Sequence, residues 1–286
     1  MAQKVAIVTD SIACLTRELV EQYKIGIVPI RLLVQGKIYR DLVDMTPTEA
    51  YELFLQDPER FTTSPASPGH YLEVYREASS QAKNIFCTTL SSKLSTGYEM
   101  ACVAKEQAKT ELPQTSIEVL DSQTVTAAEG FIALAAARAA AEGKSLAEVT
   151  KVAKEMRDKA TFLILVDTIR YVYRTGRIPK VAARVGSMLN IKPILTSSSG
   201  LVRFAGAVRN EKRGIDRVLQ MMRDKVGQNP VHVAVMHAYA PDEAKKLMER
   251  VSSEFNCAEL WLTEFSPVMG YACGTGTLGV AFYSGD

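Results

Sequence analysis

The chain is poor in the residues on which catalytic and metal sites are most often built. It has three histidines (70, 232 and 237) and five cysteines (14, 87, 102, 257 and 273), with no Cys-x-x-Cys pair. So few ligands, so scattered, argue against a zinc site, and an odd number of cysteines argues against a disulfide framework. Charge of one sign is also lacking: 34 Lys and Arg stand against 32 Asp and Glu, for a net +2. Such a balance creates no field that would gather nucleic acid or an acidic membrane surface, so neither is expected as a partner. The longest apolar block, Gly130–Ala141, is alanine-rich and falls well short of the roughly 20 residues that span a bilayer. The first residues, MAQKVAIVTDS, run straight into a strand with no signal-peptide pattern. A cytoplasmic, metal-free protein without stable membrane insertion is the expectation. Missing too are a GxSxG elbow, a Walker A loop and an HExxH helix. Gly274-Thr275-Gly276-Thr277-Leu278-Gly279 does spell GxGxxG. It leaves no room for the helix and βαβ unit that a dinucleotide site needs, so its glycines read as points of close backbone approach.

What is present is the pattern of an α/β protein. With 286 residues, 47% of them apolar, the chain can bury a large core and suggests two domains. Short apolar runs at Lys4–Thr9, Asn84–Leu90 and Ser116–Leu120 alternate with helical periodicity through residue 160. That alternation predicts a parallel, doubly wound sheet. A strand over Ile25–Leu33 with a hairpin partner near Ile38 is expected, and Phe61–Gly69, FTTSPASPG, reads as a loop. After residue 160, hairpin and βαβ signals mix, predicting a second α/β domain with a mixed sheet. The boundary is placed there: 1–160 and 161–286. A helix carrying Val181 and Val185 and a glycine-rich stretch over 270–279 complete the second half.

Three strands end in hydroxyl-bearing residues: Thr9 before Asp10-Ser11, Leu90 before Ser91-Ser92, and Leu120 before Asp121-Ser122. Ligands of open α/β sheets bind outside the carboxyl ends of the strands. The central case is Asn84–Ala108, where a strand leads through Ser91, Ser92, Ser95 and Thr96 into a helix. A helix N-terminus offers free N–H groups and the positive end of its dipole, which suits a carboxylate or phosphate. A capping role for Ser95 or Thr96 accounts for the same residues. His70, after Pro-Gly, reads as a surface residue, and His237, ending an apolar strand, is a weak site candidate. Arg170, Arg174 and Arg177 with Tyr171 and Tyr173 form either a basic patch over aromatics or, the favoured reading, a solvated face, of which Arg177 is singled out by its Gly-Arg-Ile turn. Cys273 would be reactive if exposed.

Four stretches together resemble the DegV family of bacterial proteins, some of whose members are fatty-acid-binding subunits of fatty acid kinase. They are Ile7–Ser11; Thr63-Ser64 with Ser67-Pro68-Gly69; Leu90–Ser95; and Gly176-Arg177-Ile178 with Leu189–Ile194. Gly274-x-Gly276-x-Leu278-Gly279 supports the match. The resemblance implies two α/β domains with an acyl chain in an apolar tunnel between them, and no cofactor beyond that ligand. It carries the carboxylate contacts onto Thr63 and Ser95, with Ser92 the less favoured serine, and implies docking of the partner kinase at Arg177. It also places Ala272 and Gly274 among the ligand-binding positions of that head-group site. The sequence departs from the family pattern at Pro65-Ala66, at Gly97 (one place late), and at Ala272, where the family usually has a histidine. The head group must then be held without that imidazole. A Ser- or Cys-dependent acyl hydrolase or transferase using Ser95 or Cys273 is the alternative from another class, and a lipid-binding regulatory sensor is a third.

Overall fold

The computed structural model describes residues 4–177 and 191–285. The expected helix with Val181 and Val185 lies outside them. In chain order the first half runs β1 (Val5–Asp10), α1 (Arg17–Tyr23), β2 (Gly26–Val28), β3 (Arg31–Val34), β4 (Lys37–Arg40), α2 (Pro47–Gln56) and β5 (Phe61–Ser64). It continues with α3 (Pro68–Ser79), β6 (Asn84–Thr89), α4 (Gly97–Glu111), β7 (Ser116–Asp121), α5 (Ala127–Ala141) and α6 (Leu146–Lys159). The second half holds β8 (Thr161–Leu165), α7 (Ile169–Arg174), β9 (Lys192–Ser198), β10 (Leu201–Val208), α8 (Glu211–Val226) and β11 (Val231–His237). Then come α9 (Pro241–Glu254), β12 (Cys257–Glu264), α10 (Pro267–Cys273) and β13 (Leu278–Ser284).

The first sheet is parallel, in the order β2-β1-β6-β7, as the alternation of strands and helices predicts. All six residues of β1 are buried, which is why it reads as an unbroken apolar run. The second sheet is mixed, β10-β9-β8-β13-β11-β12, with β11 and β12 its parallel pair. Two expectations need correction. The single strand over Ile25–Leu33 is two, because Pro29 has no N–H to donate. β2 stays in the parallel sheet while β3 turns away into a third, antiparallel sheet, β4-β3-β5. The loop over Phe61–Gly69 begins as β5, where β-branched Thr62 and Thr63 pair with Leu33 and Leu32. The glycine-rich stretch likewise opens as a helix, α10, started by Pro267 and capped by the Ser266 hydroxyl.

One helix ties the two large sheets together. α5 is apolar on all sides and almost wholly buried, the pattern of a helix inside the core rather than on its surface. Its alanines let it lie close to β1 and β6. Its one large aromatic, Phe131, packs edge-on against Tyr283 of β13 and Trp261 of β12, with ring centroids 5.0 and 5.6 Å away. The main core cluster accordingly mixes Ile12 and Leu90 from the first sheet's loops with Leu195 and Cys273 from the second half.

Candidate functional site

Between these elements lies a cleft of about 800 Å³ of atom-free space, its open mouth included. Its depth is apolar: Ile12, Ile30, Leu90, Val125, Leu195 and Val202 line it. Polar groups are few, namely Thr63, Ser64, Ser95, Thr175 and Arg177, with Ala272 beside Tyr271 on α10. Arg177 is the one charged residue on the described lining. Each has a local reason for its position. Thr63 sits on β5 opposite Leu32, so strand alternation turns it from the more exposed Thr62 toward the cleft. The backbone at Leu94 and Ser95 folds back onto Ser91 O, at 3.0 and 3.2 Å, which brings the loop after β6 round to the cleft. Ser95 Oγ accepts the Gly97 N–H at 3.3 Å, so capping and lining coincide in one residue, while exposed Thr96 makes no side-chain cap.

The cleft thus gathers Thr63, Ser95, Arg177 and Ala272, but not Ser92 or Gly274. Ser92 is spoken for: its hydroxyl donates to Asp121 Oδ2 at 2.5 Å and its N–H to Oδ1 at 3.1 Å. Gly274, with φ +84°, lies so near Tyr171 that a Cβ there would stand 2.5 Å from the ring. The glycine permits that close approach and is not among the residues that line the cleft. Arg177 donates to Leu94 O at 3.2 Å and to Thr175 O at 3.1 Å, which pins an exposed side chain over the cleft mouth. The strand-end acids prove to order loops. Asp121 holds Ser92 and also accepts the Gln123 N–H at 2.9 Å. Asp10 accepts the N–H groups of Ile12 and Leu90, each at 2.9 Å.

Arg174 does not belong to a solvated face, contrary to expectation. It lies over the Tyr271 ring at 4.5 Å and donates to Pro58 O at 2.6 Å, bracing the wall that carries Tyr271 and Ala272. Thr175 carries no signal in sequence, whereas Tyr271, next to Ala272, is one of the groups that can fill the space the missing imidazole leaves. His237 is buried outside the cleft, where Nδ1 accepts the Ala240 N–H at 3.3 Å and burial depresses its pKa. Cys273 does line the cleft, but burial pushes its thiol up to about 12, so it is no thiolate near neutrality.

Among the described residues no helix is long and apolar enough to cross a membrane. The family model described as "Uncharacterised protein, DegV family" matches residues 4–285. A DegV domain-containing protein of Streptomyces coelicolor is 33% identical, covering 99% of this chain and 100% of its own. A DegV family protein of Thermus thermophilus, solved for its fatty acid binding, is 30% identical over 98% of this chain and 99% of its own, with a TM-score of 0.88. A stearic-acid-binding protein of Eubacterium ventriosum is 26% identical, covers 99% of this chain and 98% of its own, and has a TM-score of 0.88.

Proposed function

The chain belongs to the DegV family, and from that premise we propose that it binds one long-chain fatty acid in this cleft and presents the carboxylate to a partner kinase. The observation that carries the binding is the cleft itself: a deep apolar lining with a few hydroxyls and one cation at its mouth. Burying the methylenes of a chain of roughly 16–18 carbons, at about 0.8 kcal/mol each, supplies on the order of 10 kcal/mol. Lost translational freedom and chain ordering offset much of it. A carboxylate leaving water needs hydrogen bonds or a counter-charge. Thr63 and Ser95 supply the first and Arg177 the second, in place of the imidazole that Ala272 lacks. Ser92 and Gly274 serve the site indirectly, through loop order and close packing. The halves 1–160 and 161–286 act as the two domains that meet around the ligand, in the cytoplasm, with no cofactor. Phosphoryl transfer falls to the kinase.

Mass spectrometry of lipid extracted from the purified protein is the direct test, and protein that carries no acyl chain from any source would sink the reading. Thr63→Ala and Ser95→Ala should each weaken palmitate binding by roughly 1–3 kcal/mol, with a much smaller effect on methyl palmitate. Equal losses for acid and ester would move the head group elsewhere. Arg177 is exposed, so its attraction for the carboxylate is screened: Arg177→Ala should cost palmitate binding no more than about 1 kcal/mol. Phosphorylation of the bound acid by a cognate kinase should fall much further. Parallel losses in both assays would confine Arg177 to the lipid site. Among the described residues the acyl hydrolase alternative has no base hydrogen-bonded to its nucleophile: Ser95 Oγ accepts the backbone Gly97 N–H, and Cys273 is a buried thiol.

A further inference from the structure

Asp10 has no part in ligand contact, yet it joins the two segments that form one side of the cleft. It is fully buried at the end of β1. Oδ1 accepts the Ile12 N–H at 2.9 Å, and Oδ2 accepts the Leu90 N–H at 2.9 Å across 80 residues of chain. Ile12 and Leu90 both line the cleft, and Leu90 opens the loop that carries Ser95. Among the described residues no cation pairs with Asp10. We propose that Asp10 is a positioning residue of the lipid site: its carboxylate ties the Ser11–Ala13 turn to the hydroxyl-rich loop and so sets the separation of the cleft walls. This rests on the cleft being the fatty-acid site.

The chemistry makes the tie sensitive to one proton. Two backbone donors, one to each oxygen, are matched by an ionised carboxylate and only partly by a neutral acid or an amide. The groups that face Asp10 are acidic or neutral: Glu129 on α5, Asp41 before α2, Cys14 after the turn, Cys87 on β6 and the Tyr71 hydroxyl on α3. Glu129 accepts from Thr9 Oγ1 at 3.0 Å, and burial with the Asp10 charge beside it holds its pKa well above the usual range. Burial pushes Asp10 itself up to about 7. Acidification from about pH 8 to pH 5 therefore protonates Asp10 and slackens the tie.

The experiment compares the full-length protein with Asp10→Asn, measuring affinity for palmitate and methyl palmitate, thermal melting, and the amide resonances of Ile12 and Leu90. The substituted carboxamide keeps the size of the side chain but can accept at only one atom. The expected result is a folded variant that binds both ligands about tenfold more weakly, with the two losses alike because a wall and not a head-group contact has changed. One of the two amide resonances should move upfield. In the unmutated protein, affinity for methyl palmitate, which has no titration of its own, should fall with a midpoint near pH 7 as the pH is lowered. That step should vanish in Asp10→Asn. A step that survives belongs to the other buried acids, Glu129 or Asp41, the latter pushed up to about 6 and accepting from Ser266 just before α10. Unchanged affinity in a folded Asp10→Asn, or a loss confined to the acid, overturns the proposal. Should the variant not fold, a flat ester affinity between about pH 5 and pH 8 in the unmutated protein overturns it equally. An unmutated protein that binds neither ligand defeats the lipid reading and the cleft role of Asp10 with it, while the amide resonances still show whether the tie exists.

Discussion

Gly270→Ala is expected to lower stability by about 3 kcal/mol, the upper end of what overpacking a core costs, and to weaken lipid binding with it. A Cβ at residue 270 would lie 2.1 Å from Tyr51 Cε1, 2.7 Å from Cζ and 2.8 Å from the hydroxyl oxygen. Tyr51 cannot swing aside: it is fully buried and its hydroxyl donates to Phe265 O at 2.9 Å. Relief must come from α10, the helix that brings Met269, Tyr271 and Ala272 to the cleft. Denaturant unfolding checks the first part and fatty-acid titration the second. Tyr51→Leu with Gly270→Ala should cost less than the two single changes together, since each removes what the other strains against. Strict additivity would mean that the clash is relieved elsewhere.

Stability should fall as the pH rises from about 4 to about 7, the reverse of ordinary acid denaturation. Asp10 is pushed from 3.8 to about 7 and Asp41 from 3.8 to about 6, both by burial, and burial also raises Glu129 well above 4.5. In this window the unfolded chain has released protons that the folded chain still holds, so folding takes protons up and raising the pH opposes it. At about 1.4 kcal/mol per pH unit, Asp10 alone contributes on the order of 4 kcal/mol and Asp41 somewhat less. The loss begins near the unfolded carboxylate values and continues through the folded values of Asp41 and Asp10, with raised Glu129 adding to it. Urea midpoints across this range measure it, and Asp10→Asn should flatten the upper part of the curve. A midpoint that rises with pH over the same range would show that these acids are ionised in the folded state and stabilised by partners.

Much of this architecture was legible in sequence because periodicity records burial. β1 and β6 read as parallel-sheet strands since apolar and β-branched side chains fill both faces. α5 announced itself as a run of alanines, although only the structure shows that it joins two sheets. Local chemistry hid the rest. Pro29 broke one apolar run into strands of two different sheets, a change of sheet that periodicity does not encode. FTTS looked like a loop because the prolines that follow it dominate its composition, yet it pairs residue for residue with β3. In the site, the hydroxyl-rich loop after β6 drew attention to Ser91, Ser92, Ser95 and Thr96, whereas Thr63 entered only through the family resemblance; Ser95 and Thr63 both line the cleft. The loop's composition alone left its serines equivalent. It could not separate Ser95 from Ser92, because the carboxylate that claims Ser92 is Asp121, at the end of another strand. For Arg174 the aromatic patch was the less favoured reading, because apart from Tyr171 its partners, Pro58 and Tyr271, are remote in sequence.

The strand order of the second sheet bears on the timing of assembly. β13 follows every other strand of that sheet in the chain, yet it lies inside it, pairing with β8 on one edge and β11 on the other. The first sheet needs nothing beyond Asp121 to pair all four of its strands, so during synthesis it can form early. The second cannot close until residues 278–284 have left the ribosome, and until then β8 and β11 each present an open edge. Leu195 lies on β9, which pairs with β8, and Val202 on β10, which pairs with β9, so only β13 joins them to β11 and β12. The walls of the cleft therefore come together only after the first sheet can already have paired its four strands.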